Sequence, residues 1–297
     1  MTAQTTCTNP GDPGYPLALA QALGPRAMPL TVRGELAQAP LSVAIVGARR
    51  ATRAAQDAAF ELAQELAAQG VVVVSGGAFG VDAAAHRGAL AAHGKTIAVL
   101  GTGVDVVYPD RHAALFEEIA ASGGALVSMF PAGTPPRPGN FVARNAVISG
   151  LCQAVVVIEA ELRSGSLTTA RWAKAQGRVV CAQPGSPGTL WLLGQGAARV
   201  LDAKDVLAAV AGSPPVQAPL PPLQGDAERV LGVVPGTGGL DEEAIAEAAG
   251  LAPRAVLRAL SSLELLGLVM VAPGRRYLRT ASPSEHIARG SCGQHSN

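Results

Sequence analysis

Lysine is almost missing from this sequence. Of 23 basic residues in 297, only Lys95, Lys174 and Lys204 are lysines, so 20 are Arg. Acidic residues number 22, which leaves a formal charge of +1. A near-zero sum predicts no polyanion partner for the chain as a whole, although a local patch binds nucleic acid while the sum stays small. Arg is the planar, forked donor that suits phosphate, but an Ala- and Arg-rich, Lys-poor composition equally reflects codon bias, and the bias carries the larger share. Aromatics are scarce as well, at 5 Phe, 3 Tyr and 2 Trp. The four cysteines, Cys7, Cys152, Cys181 and Cys292, form no CxxC pair and no metal-like cluster, which reads as reduced thiols in a cytoplasmic protein. Long hydrophobic runs are absent. Stretches such as Val71–Val74 and Ala154–Ile158 are strand-length, far below the roughly 20 residues of a membrane span, so no membrane association is expected. The polar, Pro/Gly-rich start from Met1 to Pro16 lacks a signal-peptide layout.

What is present is alternation. Residues 1 to about 40 are weakly patterned and read as a short N-terminal segment. From residue 41 to 212, apolar runs alternate with Ala-rich helical stretches. The runs are Leu41–Val46, Val71–Val74, Thr96–Leu100, Ala125–Met129, Ala154–Ile158 and Val179–Ala182. Continuous Val/Ile strands between helices predict an α/β domain, a doubly wound parallel sheet covered on both faces. A Pro-rich linker is expected over 213–225. Beyond it, Asp226–Val233, Glu242–Ala249 and Pro253–Leu266 read as helices, followed by a hairpin over Val269–Val271 and Arg276–Leu278. Three helices and a hairpin predict a small winged-helix domain at 226–280, and the tail 281–297 reads as disordered.

Familiar catalytic signals fail one by one. Gly101-Thr102-Gly103 lacks the third glycine of a dinucleotide fingerprint, and Gly94-Lys95-Thr96 precedes a strand where a P-loop would open a helix. His86, His93 and His112 fit no HExxH spacing, and there is no GxSxG elbow. Asp82 and His86, four apart on one helix, read as a local pair or an exposed His rather than a catalytic dyad. The expectation is a protein with no cofactor, no metal site and no catalysis.

Four loops at the predicted strand C-termini, where such sheets bind ligands, carry small residues and anion donors. The first, residues 47–53, holds Arg49 and Arg50. The second, 75–82, holds Ser75, Gly76, Gly77 and Gly80, with backbone N–H groups expected to lie open at a helix start. The third, 137–145, holds Arg137, Asn140, Phe141, Arg144 and Asn145, and the fourth, 163–171, holds Ser164, Gly165, Ser166 and Thr168. Each loop alone is an ordinary tight turn with helix caps. Four on one edge, three with Arg, predict a phosphate-lined groove. Phe141 beside two arginines suits base stacking; its alternative is a core Phe that starts a buried helix.

The ordered set Ile45-Val-Gly-Ala-Arg-Arg50, SGGAFGVDAAAHRGAL (Ser75–Leu90), GVDVVYP (Gly103–Pro109), FVARN (Phe141–Asn145), ELRSGSLTTA (Glu161–Ala170) and LSSLELLGLVMVAPGRRYLR (Leu260–Arg279) closely resembles the DNA-processing protein A (DprA/Smf) family. The resemblance implies an extended Rossmann-like domain that binds single-stranded DNA without known catalysis, forms a homodimer and loads the RecA recombinase during natural transformation. Its DNA pocket falls on the four loops. Two departures stand out: the family often has a second Arg after the Arg-Asn pair, where this chain has Ala146, and the N-terminal region is short, so a complete sterile-alpha-motif-like domain is not expected. The alternative is a nucleotide-handling hydrolase of the nucleoside-monophosphate phosphoribohydrolase type, which shares the general fold. Its PGGxGTxxE-like stretch has a Glu that works at the ribose, and Ser164–Ala170 has none.

Overall fold

The computed structural model describes residues 4–36, 40–212, 225–236, 239–265, 268–272 and 276–279. The expected linker (213–225) apart from Gly225, the Pro273–Arg275 turn and the tail from Ala281 lie outside the described residues. The chain divides into two compact units, Met1–Val216 and Gln217–Asn297.

The first unit opens with β1 (Thr5–Thr8), α1 (Leu17–Leu23) and β2 (Leu30–Gly34). The expected alternation follows: β3 (Ser42–Val46), α2 (Arg53–Ala68), β4 (Val72–Ser75), α3 (Val81–Ala91), β5 (Thr96–Leu100), α4 (Ala113–Ala121) and β6 (Ala125–Ser128). Next come α5 (Pro138–Ala143), α6 (Asn145–Gly150), β7 (Ala154–Val157), α7 (Gly165–Ala175), β8 (Val179–Ala182), α8 (Pro187–Gly194), β9 (Ala198–Arg199) and α9 (Ala203–Val210). All nine strands form one sheet in the order β1-β2-β6-β5-β4-β3-β7-β8-β9. From β6 to β9 every pairing is parallel, as expected. The sheet does not begin at residue 41, however. β2 adds to β6 antiparallel and β1 to β2 antiparallel, with Val32 opposite Val127.

Strand residues alternate between two cores. Val43 and Ile45 of β3 face the α2/α3 side with Val73 and Val156, while Ala44 and Val46 face the other side with Val74, Val155 and Leu19 of α1. Such two-sided burial is why these strands are apolar throughout. Helix α2 shows how the local sequence sets an element. Thr52 caps it, its Oγ1 accepting from Ala55 N at 3.2 Å; Ala59, Leu62, Ala63 and Leu66 line its buried face. It ends at Gln69 before Gly70, whose φ of 79° breaks the helix.

The second unit contains α10 (Asp226–Val233), α11 (Glu242–Ala249), α12 (Pro253–Leu265) and an antiparallel hairpin of β10 (Val269–Ala272) and β11 (Arg276–Arg279). Leu240 bridges Tyr277, which adds a minimal third strand. Val230, Ile245, Val256, Leu260 and Leu263 form its own core. This is the winged-helix order of elements expected from the sequence.

Candidate nucleic-acid interface

Strand order reverses between β3 and β7: successive strands run from β3 towards β6 on one side and from β7 towards β9 on the other. Their following loops diverge there and leave a crevice beyond the C-termini. A cavity of about 510 Å³ occupies it, bordered by Gly47 and Arg49 after β3, Phe141 and Arg144 around α5, and Ser164 and Ser166 at α7. Loop after β3 and loop after β7 are also tied together: Thr52 donates from N and Oγ1 to the Glu159 carboxylate, at 3.1 and 2.6 Å.

One wall of the cavity is aromatic and cationic. Arg49 places its Cζ 5.3 Å from the Phe141 ring centroid, and the Tyr108 ring lies 5.4 Å from that of Phe141. Phe141 is half-buried and no residue of α5 is fully buried, so it does not start a core helix. Its ring rests on Gly101, where a Cβ would come within 2.5 Å of Phe141 Cδ1. Tyr108, 41 % exposed, lines the same wall. Tyr108 is not among the site residues expected from the sequence; an aromatic among so few, in the loop after β5, is the signal that points to it.

The glycine loop departs in part from expectation. Open backbone donors are expected at the start of α3, and the protein's own acceptors take three N–H groups of the loop and helix start. Val81 N donates to Ala48 O at 3.3 Å, Ala83 N to Ala78 O at 3.1 Å, and Ala78 N to the Asp82 carboxylate at 3.3 Å. Ser75 is fully buried and donates to Ile45 O at 2.6 Å. Gly77 and Gly80 adopt φ of 70° and 75°, and a side chain on Gly80 would strike the Ala48 carbonyl. The loop's small residues therefore serve a close crossing of two loops. Gly76 and Gly77 do reach a second small cavity of about 40 Å³, beside Phe79 and Tyr108.

Beneath the wall lies a buried polar layer. Arg144 is 5 % exposed, and its Nη1 donates to Gly76 O at 2.6 Å and to Val99 O. Burial lowers its pKa to about 10, with Asp82 opposing and Arg49 assisting, so it stays charged at neutral pH. Asp82 is 6 % exposed; burial raises its pKa, against the pull of Arg144, the Ala78 N–H, Ser75 and Arg49. His86 is neither exposed nor paired with Asp82. It is fully buried, with Nδ1 2.7 Å from Thr96 Oγ1.

Ser164, Gly165 and Ser166 of the fourth loop line the cavity. Ser164 caps α7, its Oγ accepting from Ser166 N at 3.3 Å and lying 2.7 Å from Ser166 Oγ. Asn145 lines the cavity and donates from Nδ2 to Gly165 O at 3.3 Å. Thr169, not the expected Thr168, faces it from the next position. Arg50, Arg137 and Asn140 do not border the cavity. Arg50 and Arg137 are solvent-exposed near its rim, and with Arg49 they form no ion pair among the described residues. Ala146 is buried in the α1-side core, with its carbonyl accepting from Gln176 Nε2 at 2.9 Å, so that position adds no cation to the site.

Comparison with known proteins accounts for both units. Residues 6–211 match the family model described as DNA recombination-mediator protein A, and residues 213–275 match the DprA winged helix domain. A putative DNA processing protein DprA from Mycobacterium tuberculosis is 41 % identical over 266 residues, covering 85 % of this chain and 68 % of that protein. Protein Smf of Escherichia coli is 45 % identical over 185 residues, covering 60 % of this chain and 50 % of its own length. Among solved structures, DNA processing protein A from Streptococcus pneumoniae superposes with a TM-score of 0.63 at 36 % identity, covering 69 % of this chain and 74 % of that one. DNA processing protein A from Helicobacter pylori, studied for its single-stranded DNA binding mode, gives 0.62 at 31 % identity, covering 71 % and 99 %. With a family-model match across most of the first unit, a winged-helix match in the second and two superposable relatives, this chain belongs to the DNA recombination-mediator protein A (DprA/Smf) family.

Proposed function

We propose that this chain is a single-stranded DNA-binding recombination mediator of the cytoplasm, which protects incoming DNA and loads the RecA recombinase during natural transformation. The observation that carries the DNA part is the crevice wall: Arg49 over Phe141, with Tyr108 alongside, opposite a Ser- and Gly-rich loop. Aromatic faces accept any base and arginines follow the backbone, which is the pairing that sequence-tolerant single-strand binding uses. An exposed π-surface has no equivalent role on a stacked duplex. The mediator role and RecA as partner are carried over from the family, as is a homodimer, in which two crevices on one strand would raise avidity through effective concentration. A non-enzymatic role agrees with the absence of a Glu from Ser164–Ala170; release of base from nucleoside monophosphates would refute it.

Fluorescence anisotropy with single- and double-stranded oligonucleotides at several salt concentrations tests the reading. Phosphate contacts by Arg49, Arg50 and Arg137 imply a log–log salt slope of about −2 per protomer, from roughly −0.7 per phosphate on a single strand. Preference for the single strand with such a slope is expected. A slope near zero, or equal affinity for the duplex, would overturn the crevice as a DNA site.

A further inference from the structure

We propose that Arg144 is a positioning residue for the base-stacking wall and not a phosphate ligand: Arg144 and Phe141 seat the α5–α6 segment in a socket made by Gly76 and Gly101. The role deepens the single-strand reading and rests on it.

Phe141 and Arg144 are three residues apart across the α5–α6 junction, so their side chains leave the same side of the segment. Each lands on a glycine. The Phe141 ring lies against Gly101, directly after β5, and the Arg144 guanidinium lies against Gly76, directly after β4. These strands are neighbours in register, with Ser75 opposite Ala98, so the two glycines form adjacent notches at one edge of the sheet. A methyl group on Gly76 would overlap the guanidinium itself.

The chemistry of Arg144 separates anchor from ligand. A phosphate-binding Arg presents its fork to solvent. Here Nη1 is shared between the carbonyl of Gly76, directly after β4, and that of Val99, near the end of β5, and buried Nε has no hydrogen-bond partner among the described residues. Asp82, buried in the first turn of α3, attracts the charge from a third element. For Nη1 to meet a phosphate it would have to abandon two carbonyl acceptors. Arg49, exposed and 5.3 Å from the Phe141 ring centroid, has no such ties among the described residues. The two arginines of the wall therefore divide the work: Arg49 faces the strand and Arg144 holds the ring that the base meets.

The test uses the full chain and an oligonucleotide carrying 2-aminopurine, read for affinity, salt slope and the emission change on binding. Arg144→Gln and Gly76→Ala should each weaken binding about 5- to 150-fold, the range of one stacked base. Both should lose the emission change as Phe141→Ala does, and keep the wild-type salt slope. Combined, they should cost little more than either alone, because both release the same segment. Arg144→Lys should resemble Arg144→Gln, since an ammonium keeps the charge but not the fork. A slope reduced by about 0.7 in Arg144→Gln, with the emission change intact, would overturn the proposal. So would wild-type binding by Gly76→Ala. Should these variants fail to fold by circular dichroism, the unaltered protein decides. Its Arg144 guanidinium NMR signal should be protected from exchange and unmoved by added DNA, whereas a large shift on binding identifies a ligand. Failure of the unaltered chain to bind the oligonucleotide would refute the DNA reading and this role with it, while protection of the signal without DNA would still report the socket.

Discussion

Phe141 is held on one side and offered on the other. It packs on Gly101 below and meets Arg49 and Tyr108 at the rim, so its removal separates binding from folding in a way no core residue allows. Phe141→Ala should cost about 1–3 kcal/mol of single-strand affinity while leaving the salt slope unchanged, because no charge is removed. Urea melts should show a smaller loss than the 3–5 kcal/mol typical of a core Phe; a full core penalty would reinstate the buried-helix reading. A second residue-scale prediction concerns His86. Thr96 Oγ1 donates to Val73 O at 2.8 Å, so its lone pair is left to accept from His86 Nδ1–H, and buried Nε2 has no partner. His86 is thus neutral, its pKa lowered to about 3 first by burial and then by His112, Arg144 and Arg87. The unfolded chain takes up a proton near pH 6.5 that the folded chain refuses until about pH 3. This contribution is therefore complete above pH 6.5 and is lost at up to about 1.4 kcal/mol per pH unit as pH falls through that window. Asp82, raised in the fold, works in the opposite sense, so the comparison must be between variants. Urea midpoints at pH 7 and pH 5 should converge more closely for His86→Gln than for the unaltered chain; equal pH dependence would dismiss the effect.

At the level of elements, β3 to β8 were legible because residues on both their faces are buried and the sequence is apolar at nearly every position. β1 and β2 were not. β1 is the sheet edge, its residues Thr5–Thr8 are mostly exposed, and β2 shows only the alternation of Leu30 and Val32 with Thr31 and Arg33. An antiparallel addition to an edge leaves no continuous Val/Ile run to read. The stretch is nevertheless part of the first unit. Leu19 and Leu30 are fully buried, and Arg178 Nη2 donates to Ala18 O at 2.7 Å. Leu19→Ala should accordingly destabilise the first unit by about 2–5 kcal/mol in a urea melt, as a core cavity does; a change below about 0.5 kcal/mol would mean that the N-terminal stretch is only appended. The site divides in the same way. The cavity positions of Arg49, Ser164 and Ser166 were legible because each lies in a strand-to-helix connection or at the helix start that follows it, and its chemistry is local. The glycine loop was legible only in part, because donors are visible in a sequence whereas the acceptors that take some of them, such as Ala48 O for Val81 N, arrive from another loop. Arg144 shows the residue type needed for phosphate but not its burial, which depends on two strand ends brought together by the fold.

On the scale of the whole molecule, the winged helix sets fold analogy against charge. Such domains read duplex DNA with a basic recognition helix in the major groove. Between residues 226 and 279 this chain has six basic and seven acidic groups, a net of −1. Helix α12 carries Arg254 and Arg258, but α11 presents Glu242, Glu243 and Glu247. Two of the six arginines serve the domain's own structure: Arg229 Nη2 donates to Ala249 O at 2.9 Å, and Arg279 Nη2 to Leu231 O at 2.5 Å. A duplex-binding module is expected to show a clear basic excess, and an acidic helix repels a long duplex most strongly at low salt. The first unit, by contrast, contains the whole crevice, from Gly47 to Thr169, and its own two-sided core. Deleting residues 213–297 should therefore leave a folded protein with most of its single-strand affinity and an unchanged salt slope, measured by anisotropy beside the full chain. The isolated 213–297 segment should bind duplex DNA weakly at best, whatever the salt. A truncated chain that melts normally yet has lost most of its DNA binding would place an essential part of the interface in the winged helix, despite its charge.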